Sequence, residues 1–208
     1  MTVTGLLDLV DLDLAAPHTW AALPTDPDTT GWEHEIGELL SAPESSPETA
    51  SSVVDQLRTL HQRLASEPHA ALAAWVPRPD LPGVAGFLAV DRIVPGDDGA
   101  PVTLEDYLDA IDPDQRTGIR VRSREMERAG TPAGPAIRVS EVVDRPGDET
   151  SSSGWVTEFH VIYTIFPPGS RDALELTFCT ANLSLSDELD ADADAITAEV
   201  EVTLGSES

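Results

Sequence analysis

The chain contains no lysine. Its twelve basic residues are all arginine and stand against 38 Asp and Glu, a formal net charge of −26 over 208 residues. A surface of that sign repels phosphate backbones, so nucleic acid is not the expected partner unless the arginines gather into a patch. No run approaches the roughly 18 uninterrupted apolar residues that a membrane span needs. The single cysteine, Cys179, excludes an internal disulfide framework. In an apolar stretch it reads as a small buried hydrophobe, since a catalytic thiol needs an electropositive, partly exposed setting. The first residues, MTVTGLLDLVDLDL, lack a basic segment, and Asp8, Asp11 and Asp13 break their apolar run. That pattern is not a secretory signal, and the expected location is the cytoplasm.

Catalytic signatures are missing as well. There is no G-x-S-x-G, P-loop, G-x-G-x-x-G after a strand, or C-x-x-C. Trp32-Glu33-His34-Glu35-Ile36-Gly37-Glu38 approaches a zincin H-E-x-x-H, but Glu38 stands where the second imidazole is required. His18, His61, His69 and His160 have no metal-ligand spacing among them. The run Asp190-Ala191-Asp192-Ala193-Asp194 partly echoes a calcium loop, yet Ala195 occupies the position that needs Gly for its turn. No catalytic residue, cofactor or metal ligand is assigned from these patterns, and the expectation is a protein that is not an enzyme.

What the sequence does contain is a strong hairpin from Trp155 to Asn182. Phe159, Val161, Tyr163 and Ile165 alternate along one run, and Leu174, Leu176 and Phe178 along the next, around Pro167-Pro168-Gly169-Ser170. Period two places each set on one face of a strand. This hairpin is the expected centre of a sheet, with Phe159, Tyr163, Leu176 and Phe178 in the core.

Other elements follow in order. Leu6 to Leu14 reads as a first strand, stopped by the prolines around Trp20, a large anchor that must bury. Residues 26–70 read as a helical insert. In it, Trp32, Ile36, Leu39 and Leu40 recur at helical spacing before the Ser/Pro/Glu-rich stretch SAPESSPETASS. Ser46-Pro47-Glu48 opens a helix whose Val53, Leu57, Leu60 and Leu64 form one apolar stripe. Ala71–Val76 and Val84–Val94 read as paired strands. Thr103-Leu104-Glu105-Asp106 is a capping box for a short helix that buries Leu104, Tyr107, Leu108 and Ile111. Strands follow at 119–126 and 137–143, joined at the turn Gly130–Pro135. A flexible loop is expected at 145–154 and a last helix over 187–200, with Ser184 or Ser186 as its cap and its acids in the first turns.

Six of the twelve arginines lie between Arg116 and Arg138. Alternation of Ile119 and Val121 with Arg120, Arg122 and Arg124 places three guanidinium groups on one strand face. They either pair with acidic neighbours across the sheet or form a contact site for an anion or a partner.

The element order resembles the PsbP-like α/β/α sandwich superfamily, which includes the photosystem II subunit P, DcrB-type proteins and Eag-type chaperones. The resemblance rests on Pro17-His18-Thr19-Trp20 after strand one, TLEDYLDAI at 103–111, the Gly130–Pro135 turn, and LTFCTANLSLSDELDADADAIT near the C-terminus. The Lys-free composition resembles an actinobacterial branch. The implied fold class is α+β: an antiparallel sheet of about six to seven strands with helices packed on its faces, one domain over 1–208 carrying the helical insert. The implied role is a non-enzymatic protein-interaction module: a chaperone, adaptor or assembly factor for a specific, basic or apolar, protein partner. The alternatives are a small-ligand binder or minor enzyme with a pocket between sheet and insert near Trp20, Trp75 or Trp155, and a structural subunit of a larger assembly.

Overall fold

The computed structural model describes residues 7–33, 36, 47–77, 83–97, 99–110, 118–147 and 154–205. The expectations for Leu39, Leu40, Ser46 and Ile111, for the first half of the SAPESSPETASS stretch and for most of the loop at 145–154, fall outside these residues.

Seven strands form one antiparallel sheet. They are β2 (Trp20–Leu23), β3 (Ala71–Trp75), β4 (Gly86–Ile93), β5 (Arg120–Thr131), β6 (Gly134–Pro146), β7 (Trp155–Ile165) and β8 (Ala173–Thr180). Their spatial order is β2-β3-β4-β8-β7-β6-β5, so β8 is the middle strand and the β7–β8 hairpin occupies the centre, as its alternation predicts. The class is α+β, and among the described residues three helices pack on the sheet: α1 (Pro47–Leu64), α2 (Leu104–Ala110) and α3 (Ser186–Thr197).

Each face of the sheet has its own cover. On one face the odd residues of β7 and the even residues of β8 come together. Val161 pairs with Phe178, Tyr163 with Leu176 and Ile165 with Leu174. Leu189, Ala193 and Ile196 of α3 pack over them, and Trp20 and Trp75 extend the same cluster to the sheet edge. The other face is shared by two helices. Val53, Leu57, Leu60 and Leu64 of α1 lie on Leu23, Leu72, Ala74 and Ala89, while Leu104 of α2 lies on Ile137, Val139 and Ile162. Full burial of one such side chain stabilises by about 1.5–3 kcal/mol.

Local chemistry sets the boundaries. Pro167 and Pro168 lack the N–H groups a ladder needs, so β7 stops at Ile165. Gly169 then takes a positive φ of 86° to turn the chain. Thr103 caps α2 as its sequence predicts: its Oγ1 accepts from the Asp106 N–H at 3.1 Å and donates to the Asp106 carboxylate at 2.6 Å.

Several elements differ from the expected ones. The first strand, β1 (Asp8–Asp13), does not join the main sheet. It pairs with β9 (Glu201–Gly205), so the last helix ends at Thr197 and a strand follows it. Leu9 and Leu12 both face the core side because the β1 register shifts between Leu9 and Asp11. Val10 is the extra residue and stays 55% exposed. The four-residue β2 was not expected as a strand. The helical end of the chain is capped by neither Ser184 nor Ser186: Asn182 accepts from the Ser184 N–H and starts a 3₁₀ turn over Leu183–Leu185, which leads into α3. Strand β6 continues through Arg145 and Pro146, which shortens the expected loop from its N-terminal side.

Candidate functional site

Among the described residues, α1 and α2 divide one face of the sheet between them and leave a stretch of it without a helix. The floor there comes from the N-terminal half of β7 and its neighbours. Beside α1 it forms an open groove of about 940 Å³. One wall is the polar side of α1, with Ser52, Asp55, Gln56, Thr59 and Arg63 at helical spacing. The floor is Gly86, Phe87 and Cys179, and the far side carries Arg145 and Glu158. Gln56 fixes the wall to the sheet, its Oε1 accepting from the Val84 N–H at 2.9 Å. The Arg63 guanidinium lies over the Phe87 ring, 5.2 Å from its centroid.

Polar groups converge on the floor from three strands. Strand alternation puts Glu158 and His160 on the same face of β7, and the β7–β8 register sets Cys179 directly opposite His160. The three donor atoms lie within 4.8 Å of one another. Glu158 is buried, yet Arg145 donates to its Oε1 at 2.7 Å, and its Oε2 lies 3.2 Å from His160 Nε2. Burial pushes the Glu158 carboxyl up, but hydrogen bonds from His160 and Arg145 outweigh it and hold it below the usual range. Burial, with the neighbouring Glu158 carboxylate adding, pushes the Cys179 thiol well above its ordinary value. As it stands the thiol is protonated and a poor nucleophile. Behind His160 stands Glu141, its Oε1 3.8 Å from Nδ1, and Arg124 holds Glu141 from the other side at 2.6 Å.

The three arginines singled out in the sequence do not share a face. The β5 register shifts between Val121 and Ser123, so Arg122 is a bulge residue and the alternation changes phase across it. Arg120 pairs opposite Asp144 and its guanidinium lies 4.6 Å from the Trp155 ring centroid. Arg122 donates to Asp144 at 2.8 Å, whereas Arg124 turns to Glu141 on the opposite face. The acids Asp190, Asp192 and Asp194 belong to α3 and meet the sheet. Asp190 pairs with Arg138, and Asp192 accepts from both the Trp20 and Trp75 indoles at 2.9 Å. Asp194 accepts from Tyr163 at 2.6 Å, and burial together with that carboxylate pushes the Tyr163 phenol up.

Neither Trp75 nor Trp155 lines the groove. A smaller space of about 450 Å³ opens between β1 and β2–β4 and touches Trp20. The convergence of Glu158, His160 and Cys179 escaped sequence reasoning. The E-x-H spacing is visible in the chain, but its third member arrives only through the hairpin register. No helix among the described residues is long and apolar enough to cross a membrane.

No family model matches the chain, and no curated protein matches it in sequence. Among solved structures it is similar to LpqN, involved in cell envelope biogenesis of Mycobacterium tuberculosis. That match has 12% identity and a TM-score of 0.46, and covers 92% of this chain and 83% of LpqN. It is also similar to the cyanobacterial PsbP (CyanoP) of Synechocystis, with 10% identity and a TM-score of 0.42, covering 98% of this chain and 97% of CyanoP. Both are likenesses of fold alone.

Proposed function

We propose that the chain is a non-enzymatic protein-interaction module that receives a segment of a protein partner in the groove beside α1. The observation that carries this reading is the groove itself. It is open to solvent, its floor is apolar at Phe87 and Gly86, and its rim is polar along one helix. Such a surface suits an extended chain whose apolar side chains meet the floor while the rim bonds its backbone. Two candidate nucleophiles in the groove are not primed for attack: Ser52 accepts from Gln56, and burial raises the Cys179 thiol. A net charge of −26 favours fast, salt-sensitive encounter with a basic partner.

Site-directed photo-crosslinking in the native host tests the proposal. A benzophenone residue at Thr59 should give a discrete adduct with one protein, and the same residue at exposed Leu183 should not. Ser52→Arg, which fills the rim without touching the core, should abolish the adduct. Equal labelling from both positions, or none from Thr59, overturns the reading. A second reading is favoured by the groove's volume, which lies within the range of small-ligand sites at roughly 300–1,000 Å³, and by the two guanidinium groups, Arg63 and Arg145, at its rim. On that reading native mass spectrometry finds a small anionic molecule retained by the wild type and lost in Arg63→Ala.

A further inference from the structure

We propose that Glu158, His160 and Cys179 form a binding site for a divalent transition metal of the zinc class, whose open coordination position faces the groove. This goes beyond the proposed interaction role and does not depend on it.

The distances come first. Zinc bonds of about 2.0–2.1 Å to oxygen and nitrogen, meeting at a tetrahedral angle, separate the two donors by about 3.3 Å. Glu158 Oε2 and His160 Nε2 are 3.2 Å apart, one edge of such a tetrahedron already formed. An edge that ends on sulfur is about 3.5 Å, and no pair among the three donor atoms exceeds 4.8 Å. The thiol therefore has at most about 1.3 Å to close, less than the swing of a sulfur between two rotamers.

The donor set selects the metal class. A thiolate and an imidazole favour zinc and its neighbours over calcium or magnesium, which take oxygen ligands. Two anionic ligands and a neutral imidazole balance a 2+ charge. Binding forms the sulfur–metal bond and sends the Cys179 proton to solvent. It also requires the imidazole proton on Nδ1, which the buried Glu141 carboxylate, 3.8 Å away, favours electrostatically. Arg145 keeps the other Glu158 oxygen occupied, so the carboxylate presents one oxygen to the metal. Carboxylates and guanidiniums behind the ligands are the usual means of orienting a metal site. Glu158 and Cys179 line the groove, so the fourth position opens there, to water or to a group brought by whatever binds. Among the described residues no other cluster of His, Cys, Asp or Glu meets the same spacing.

The test is cobalt substitution in the full chain, stripped with a chelator and kept reduced by a phosphine. Thiolate-to-cobalt charge transfer in the near ultraviolet, with strong tetrahedral d–d bands in the visible, should saturate at one equivalent. Cys179 is the chain's one cysteine, so the charge-transfer band has a single source. Cys179→Ser should remove it, and His160→Gln should lower cobalt affinity at least tenfold. Arg145→Met, which touches no metal, should weaken binding 10–100-fold. Carboxylates on so acidic a surface would bind cobalt weakly, in pale octahedral form and without charge transfer. That spectrum in the wild type, or an isotherm unchanged in Cys179→Ser, overturns the proposal. The wild-type spectrum decides even where a variant fails to fold.

Discussion

Glu141 sits with its side chain wholly inside the sheet, and its charge is tolerable because the Arg124 guanidinium lies against it at 2.6 Å. Removing one partner of a buried pair strands the other charge, which costs about 3–5 kcal/mol, whereas replacing both with apolar groups is often neutral. Arg124→Ala should therefore lose about 3–5 kcal/mol in urea denaturation, and Arg124→Met with Glu141→Leu should recover most of it. Asp192 makes a second case. Its carboxylate accepts from two indoles, and Trp20 and Trp75 are both buried. Asp192→Ala orphans both N–H groups at about 1–3 kcal/mol each. The same chemical denaturation measures the loss, with a change in native tryptophan fluorescence as its local sign. Neither role is visible from composition. Arg124 belongs to a row of alternating arginines, and only the bulge at Arg122 separates it from Arg120.

At the scale of elements, the β7–β8 hairpin carries the centre of the sheet, and its residues differ by position. Leu176 and Phe178 have no exposed surface, while Phe159 only packs partly buried against the same cluster. Leu176→Ala and Phe178→Ala should cost about 2–5 kcal/mol and Phe159→Ala clearly less; equal losses at all three would mean that the sheet's open end is as tightly packed as its middle. Gly86 faces a harder limit. A Cβ there would come within 2.3 Å of the Cys179 carbonyl oxygen and 3.1 Å of the Trp75 ring, so Gly86→Ala should unfold more readily than any of these truncations. This hairpin was legible because period-two alternation is strong over eight or more residues. So was α2, because a capping box is a local signal. Strand β2 was not, since four residues carry too little pattern. Strand β9 and the separate β1–β9 ribbon were not, since they depend on which segment returns to pair with which. The candidate metal site was hidden for the same reason: Glu158 and His160 are two residues apart, but Cys179 reaches them through register alone.

For the whole molecule, the large negative charge makes a prediction about conditions. Unpaired surface carboxylates repel one another in the compact state, and this repulsion destabilises it. Salt shortens the Debye length from about 30 Å at 0.01 M to about 3 Å at 1 M and relieves that cost. The pairs Arg124–Glu141 and Arg145–Glu158 are little affected because the Glu141 and Glu158 carboxylates are buried. Each kcal/mol of relieved repulsion should raise Tm by about 2–4 °C at this chain length. Acid acts in two stages. Burial, with Asp194 and Asp187 close by, raises the Asp190 carboxyl despite Arg138. The folded state then binds more protons there, and the stability this group contributes is lost as pH rises through its folded value. Asp144 is lowered by hydrogen bonds from Arg122 and Thr157; its contribution is complete above its ordinary value of 3.8 and is lost as pH falls through the folded one. Stability should accordingly rise as pH falls toward the ordinary carboxylate range and Asp190 takes its proton, then fall as pH drops below that range through the folded value of Asp144. Near the isoelectric point, about 4.1, the net charge vanishes and the stabilisation by salt should vanish with it. Thermal melts over a grid of salt and pH measure both effects. A Tm that drops with salt at pH 7 would mean that exposed ion pairs such as Arg122–Asp144 outweigh the repulsion. A salt response of equal size at pH 4 would mean that it does not come from net charge at all.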